Sequence, residues 1–283
     1  MPELPEVETM RRGILPALGS RIVDIQKPRC RVKPIEVMPP PAEFRRRTKG
    51  QSICAIERVG KRVVLRLDSD DTIVFEPRMT GLVLVADPPT LAHLRFRLDL
   101  AGGPISQILF WDRRGLGNVR LLSPRQFDQQ LGPDRLGPDP LKIDADELRD
   151  RFKTSRREVK TALLDQRAIA GIGNLYASEI LHRAGIHPQK HCNRLNGEAW
   201  NRIHAATLEV LNEAIRYEGS TLSDGTYRNA QNDPGGYQHH HRVYDRAGQL
   251  CSTCHDQTIV RIVQSQRSTF YCPACQPKRR RVR

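Results

Sequence analysis

Leu94-Arg95-Phe96-Arg97-Leu98-Asp99-Leu100 alternates apolar and charged residues without a break. A period of two puts the four apolar side chains on one face of a strand and Arg95, Arg97 and Asp99 on the other. The stretch predicts a half-buried antiparallel strand. Working outward, Val63, Leu65 and Leu67 alternate with Arg62, Val64 and Arg66, and Ile73 to Phe75, Leu82 to Val85, Gln107 to Trp111 and Val119 to Leu122 add further short runs. Several short strands in one region predict an antiparallel β-sandwich. Before them, Leu4, Val7, Met10, Ile14 and Leu18 recur at helical spacing. They predict a leading helix over about 4–17, with Pro5 in the first turn where a missing N–H costs nothing. Met38-Pro39-Pro40-Pro41 reads as a loop.

Gly and Pro cluster from Gly132 to Pro140, and beyond them the period becomes helical. Helices are expected over 144–152, 158–166, 174–183 and 196–218, with Gly171-Ile172-Gly173 as a break and Gly185 and Gly219 as C-terminal stops. The polar stretch 222–241 reads as a mobile loop. The fold class expected is α+β: an N-terminal antiparallel β-sandwich with a leading helix, then a helical domain and a four-cysteine finger. The expected boundaries are 1–135, 141–235, 242–278 and a basic tail at 279–283.

The chain has 283 residues with 46 Lys+Arg against 32 Asp+Glu, a formal charge of +14. No window approaches the ~18 apolar residues of a membrane span. Met1-Pro2-Glu3-Leu4-Pro5-Glu6 lacks the apolar core of a secretory signal. These features leave an intracellular, cytoplasmic protein with a polyanionic partner as the expectation. Seven cysteines, an odd number, make a poor disulfide framework. Cys251, Cys254, Cys272 and Cys275 read C-x2-C-x17-C-x2-C, the spacing of one tetrahedral structural zinc. The alternative is four free thiols. His255 adjoins Cys254, but four sulfurs already close the site.

Pro2 follows the initiator Met, which is normally removed before a small residue. The chain would then begin with a secondary amine, able to attack an aldehyde-like carbon and form an iminium. Glu3 and Glu6 lie three apart and share one side of the first helical turn. A carboxyl beside such an amine is a candidate proton donor. Alternatively, Pro2 merely starts the chain and the two acids complement the helix dipole.

Pro2-Glu3-Leu4-Pro5-Glu6-Val7-Glu8-Thr9 resembles the start of the formamidopyrimidine-DNA glycosylases, bacterial enzymes that remove oxidised purines from DNA. Ala170-Gly171-Ile172-Gly173-Asn174-Leu175-Tyr176-Ala177-Ser178-Glu179 resembles their helix–two-turns–helix motif, and Gln266-Arg267-Ser268-Thr269-Phe270-Tyr271-Cys272 their zinc-finger hairpin. The resemblance spans essentially the whole chain. Leu4 stands where the related endonuclease VIII branch typically has Gly.

This resemblance implies that Pro2 attacks C1′, Glu3 donates the proton in base release and ring opening, and Glu6 orients the N-terminal region. It implies that Lys61 serves β-elimination and phosphate contact, and that Arg267 grips phosphates and assists δ-elimination. Asn174, at a helix start suited to anions, binds phosphate, flanked by Lys160, Arg156 and Arg157; without the resemblance these three read as a solvated helix face. His93 contacts DNA. Met79, Arg114 and Leu116 fill the gap left by the flipped base. Two departures stand out. Leu116 replaces the usual Phe. Glu76-Pro77-Arg78-Met79-Thr80-Gly81 replaces a family run of roughly His-Leu-Gly-Met-Ser-Gly, so Glu76 stands where a phosphate-binding histidine is usual. A carboxylate there repels phosphate unless it faces inward, with Arg78 as a candidate compensator.

The expected activity is therefore a bifunctional glycosylase and abasic-site lyase acting on damaged double-stranded DNA. The expected setting is a monomer with one structural Zn2+, no small-molecule cofactor and no membrane, in the bacterial cytosol. Two alternatives stay open: an endonuclease VIII-like glycosylase for oxidised pyrimidines, and a non-catalytic zinc-containing DNA-binding protein.

Overall fold

In the computed structural model, which describes residues 2–30 and 32–278, the chain divides into two compact units. The first comprises the residues up to Arg135 together with Ile215–Gln238; the second comprises Leu136–Ala214 and the residues from His239 onward. The sequence reading kept 141–235 together, whereas the structure gives 215–238 to the first unit. The basic tail at 279–283 lies outside the described residues.

The first unit opens with α1 (Leu4–Gly13), then β1 (Arg21–Gln26), β2 (Glu36–Met38), α2 (Pro41–Thr48), β3 (Ile53–Val59), β4 (Arg62–Leu67) and β5 (Thr72–Glu76). β6 (Gly81–Leu84), β7 (Leu94–Ala101), β8 (Gln107–Asp112), β9 (Asn118–Leu122) and α3 (Pro124–Leu131) follow. A four-stranded sheet has the order β1-β7-β8-β6, and a five-stranded sheet the order β2-β9-β5-β4-β3. One apolar core joins them: Ile22, Phe96, Leu98, Ile108 and Phe110 from the first sheet, Val63, Leu65, Ile73, Phe75 and Val119 from the second, with Val7 and Met10 from α1. The result is a sandwich, each sheet burying its alternate residues. All strand pairs are antiparallel except the short edge pair β2–β9, which is parallel.

α1 ends at Gly13, short of the expected 17, and a 3-10 turn at Leu15–Ala17 follows. Pro16 has no N–H to give a helical carbonyl, and its ring disfavours helix at the residue before it. Residues 222–241 are more ordered than their polarity suggested. Tyr227 and Ala230 are buried in the sandwich core, and the Ala230 carbonyl accepts the N–H of Val85 at 2.9 Å.

The second unit holds α4 (Ala145–Phe152), α5 (Val159–Leu163), α6 (Asn174–Arg183) and most of α7 (Gly197–Arg216). Asp144 caps α4 through the N–H of Glu147 at 2.8 Å, and Phe152 stacks on Trp200 of α7 with ring centroids 5.6 Å apart. α5 is one turn where a longer helix was expected. β10 (Val260–Gln264) and β11 (Arg267–Tyr271) form a hairpin whose two turn residues, Ser265 and Gln266, both have positive φ. Two consecutive left-handed residues match the right-handed twist of the flanking strands. Among the described residues, no helix is long and apolar enough to cross a membrane.

Candidate active site and nucleic-acid contacts

At the start of α1, Pro2 is buried and Glu3 occupies the cap position with an extended backbone. The Glu3 N–H donates to Glu6 Oε2 at 2.8 Å, and the N–H of Ser220 donates to the other oxygen at 2.9 Å. Glu6 is 2% exposed, so its carboxylate rests on N–H donors beside a helix N-terminus. Gly219, at φ +78°, lets the chain pass this close; a Cβ there would sit 2.8 Å from Glu6 Cγ. Pro2 lines a small pocket with Met79, Thr80, Leu222, Asp224 and Thr226.

Lys61 sits with Gly60 in the two-residue turn joining β3 to β4, Val59 pairing with Arg62. Helix α1 is tied to this hairpin through the buried Glu8, which pairs with Arg58 at 3.2 Å, Arg11 at 2.8 Å and Arg12 at 2.9 Å. Burial alone would raise the Glu8 pKa, but the three guanidinia outweigh it and hold the carboxyl below its ordinary range.

Met79 and Arg114 are exposed and Leu116 is half-buried. They stand on two loops held by one residue. Asp112, buried at the end of β8, accepts the N–H of Gly117 at 2.8 Å and of Arg114 at 3.1 Å, and bonds to the Thr80 hydroxyl. Thr80 Oγ1 also accepts the Arg114 N–H, at 3.0 Å. Behind them Arg95 is buried, its guanidinium donating to the carbonyl of Asp112 at 2.8 Å. Asp112→Ala removes the acceptor of the Gly117 N–H and of the Thr80 hydroxyl, at about 1–3 kcal/mol each. The expected result is a melting temperature lower by several degrees in a thermal denaturation scan. Leu116→Phe is expected to leave the melting temperature unchanged, because a half-buried site accepts a larger apolar group without overpacking.

His93 ends a short 3-10 turn, its ring edge-on to Trp111 at 5.5 Å; its buried Nδ1 has no hydrogen-bond partner among the described residues. Glu76 does turn inward. It is held by Arg62 at 3.2 Å, Arg78 at 3.2 Å and Arg120 at 3.1 Å. Burial pushes its pKa up, and the three arginines more than reverse that, keeping it ionised.

In the second unit, Lys160 is 1% exposed and does not lie on a solvated face. Its ammonium donates to Asn174 Oδ1 at 2.6 Å, Thr269 Oγ1 at 2.7 Å and the Ser268 carbonyl at 3.1 Å. Asn174, the first residue of α6, donates to the same carbonyl at 2.9 Å. The strand start that carries the exposed Arg267 is thereby clamped to α5 and α6. Arg156 is exposed, and Arg157 pairs with Asp165 at 2.9 Å. Glu179, also on α6, is buried and accepts the N–H groups of Arg242, Val243 and Tyr244 at 2.8, 2.9 and 2.8 Å. It anchors the chain leading into the finger.

The four finger cysteines bring their sulfurs within 4.8 Å of one another, with Cys251–Cys275 at 3.8 Å and Cys254–Cys272 at 3.6 Å. Four sulfurs about 2.3 Å from a tetrahedral centre stand about 3.8 Å apart, so this cluster could hold one metal ion. Burial and the three neighbouring sulfurs push Cys275 upward, whereas backbone N–H groups of Gln257 and Asp256 draw Cys254 down to about 7. A cation at the centre is what allows all four to ionise.

Sequence reading missed Thr80, Arg95, Asp112, Glu179 and Thr269. Each acts by holding a neighbour, and none sits in a spacing that signals chemistry. An acid directly before the Arg113-Arg114-Gly115 turn was the only available hint for Asp112.

Family models described as formamidopyrimidine-DNA glycosylase N-terminal domain and H2TH domain match residues 1–119 and 136–226. The formamidopyrimidine-DNA glycosylase of Chloroflexus aurantiacus is 43% identical over 281 residues, covering 98% of each chain. Two solved structures of the Lactococcus lactis Fpg protein are similar at 31% identity, each over 98% of this chain and 100% of theirs. One is a point mutant in complex with DNA containing Fapy-dG, at a TM-score of 0.85, and the other a complex with abasic-site DNA, at 0.84. With both halves matched and relatives aligned along nearly their full length, the chain belongs to the formamidopyrimidine-DNA glycosylase family.

Proposed function

We propose that the protein excises oxidised purines, formamidopyrimidines and 8-oxoguanine, from duplex DNA and then cuts the strand at the abasic site by β,δ-elimination. The observation that carries this reading is the buried start of α1. There Glu6 holds the Glu3 N–H, and Pro2 faces a pocket shared with the Met79 loop. With the initiator Met removed, the Pro2 nitrogen is a secondary amine. It attacks C1′, the glycosidic C–N bond breaks, and the departing base takes a proton from the Glu3 carboxylic acid. The Glu3 carboxylate so formed takes the proton from the Pro2 nitrogen and passes it to O4′, so the C1′–O4′ bond breaks and an iminium is left between Pro2 and C1′. Loss of a C2′ proton then expels the 3′ phosphate; a second elimination expels the 5′ phosphate. Lys61 assists the first elimination and Arg267 the second.

The flipped base leaves a gap for Met79, Arg114 and Leu116 to fill. Asn174, Arg156, Lys160 and His93 complete the DNA contacts, Lys160 by orienting Asn174 and the Arg267 strand. One zinc ion on Cys251, Cys254, Cys272 and Cys275 supplies structure to the finger. The +14 charge supports a sequence-independent grip on the backbone. The protein acts as a monomer in the cytosol.

Borohydride trapping on abasic-site duplex tests the chemistry. A covalent protein–DNA product that disappears when the N-terminal amine is blocked is expected; no product alongside an active control refutes the enzyme. A panel of duplexes carrying oxidised purines or oxidised pyrimidines tests the substrate class, and faster excision of the pyrimidines overturns the purine assignment.

A further inference from the structure

Glu76 closes β5 at the end of the five-stranded sheet that also carries the Lys61 turn, the Pro77–Thr80 turn and the start of β9. Arg62 follows Lys61 directly and binds Glu76 with two nitrogens, each at 3.2 Å. Arg120 reaches Glu76 from β9 at 3.1 Å and Asn118 from the same strand at 3.4 Å. Glu36 adds a further negative charge near Arg120. Arg62 and Arg120 are thus largely answered within the cluster.

Arg78 is not. It makes one 3.2 Å contact to Glu76, remains 57% exposed in its side chain, and directly precedes Met79. Its φ is +54°, a left-handed conformation that side-chain-bearing residues avoid. The turn around it is closed by the Gly81 N–H donating to the Pro77 carbonyl at 2.8 Å, and a Cβ on Gly81 would meet that carbonyl oxygen at 2.5 Å. An outward cation is therefore held in an unfavourable backbone conformation directly beside the exposed Met79.

We propose that Arg78 binds a backbone phosphodiester of the DNA, and that Glu76 is a positioning residue that aims it. The carboxylate in this unusual place then promotes DNA binding by holding a cation, and does not repel the phosphate. This rests on the glycosylase reading above, because it needs duplex DNA at this end of the sandwich.

The test is the affinity of the full-length protein for a duplex containing a tetrahydrofuran abasic analogue, measured across a salt series. Wild-type binding and trapping bear on the proposed function; only differences between variants bear on Arg78 and Glu76. Arg78→Ala is expected to weaken binding about fivefold and to reduce the slope of log affinity against log salt by about one. Arg78→Lys should restore most of that slope. Glu76→Gln adds a net positive charge, so simple electrostatics requires tighter binding; the positioning role requires binding about threefold weaker. In the Arg78→Ala background, Glu76→Gln should cause no further loss. Equal or tighter binding by Glu76→Gln overturns the positioning role. An unchanged salt slope in Arg78→Ala overturns the phosphate contact, and because Arg78 is exposed, that variant reports even if Glu76→Gln fails to fold.

Discussion

An uncleaved extension ahead of Pro2 is expected to lower single-turnover base excision by at least about a thousandfold, a barrier increase of about 4 kcal/mol. It should also eliminate borohydride trapping. In an extended chain the Pro2 nitrogen is an amide whose lone pair is delocalised into the carbonyl, and it cannot become an iminium. The extension leaves the Glu3 and Lys61 side chains chemically unaltered, so binding to an abasic-analogue duplex should fall much less than excision. Glu3→Gln gives the complementary pattern. Excision of a lesion falls by about 10²–10⁴, the usual worth of a positioned proton donor, while trapping on a preformed abasic site survives because no base has to leave and the open-chain aldehyde of that site needs no proton at O4′. Quench-flow measurement of excision with parallel gel assays of trapping separates the two. Trapping that persists with the extension in place refutes the amine as nucleophile.

Cys272→Ala is expected to release the metal and to lower duplex cleavage by at least about a hundredfold. Structural zinc sites contribute on the order of 10–16 kcal/mol in finger peptides near pH 7, far more than this small module can supply from its apolar contacts. Those contacts are few: Val243, Ile259 and Phe270 are the buried non-cysteine residues of its cluster. Without the ion the β10–β11 hairpin loses its frame, and with it Arg267 and the Ser268 carbonyl that Lys160 and Asn174 grip. Metal content by mass spectrometry and cleavage of lesion duplex are the two readouts. Full cleavage by a metal-free variant rejects a structural role for the ion.

Much of the sandwich was legible because a strand that buries one face must alternate, as Leu94 to Leu100 does. Elements whose ends depend on a single local clash were read less well. Pro16 ended α1 early, although the apolar spacing continued to Leu18. Polar composition misled at 222–241, where the anchors Tyr227 and Ala230 are few but buried. The candidate chemistry-bearing residues could be proposed as a set because they sit in distinctive runs. Their supports could not. Lys160 looked like a solvated helix lysine, and its burial depends on Ser268 and Thr269, 108 and 109 residues further along the chain. Asp112 joins loops 32 residues apart. No local pattern encodes such partnerships, and Glu76 was readable as a departure but not as the centre of three arginines.

The carboxylate of Glu6 holds both the Glu3 backbone at the chain start and the Ser220 backbone that opens the segment lining the small pocket beside Pro2. A shared acceptor makes a strut. Under the glycosylase reading proposed above, a poorly fitting base that shifts Ser220 would also tilt the Pro2 amine away from its line of attack, and discrimination between lesions would then register as slow bond-breaking after capture and not only as weak capture.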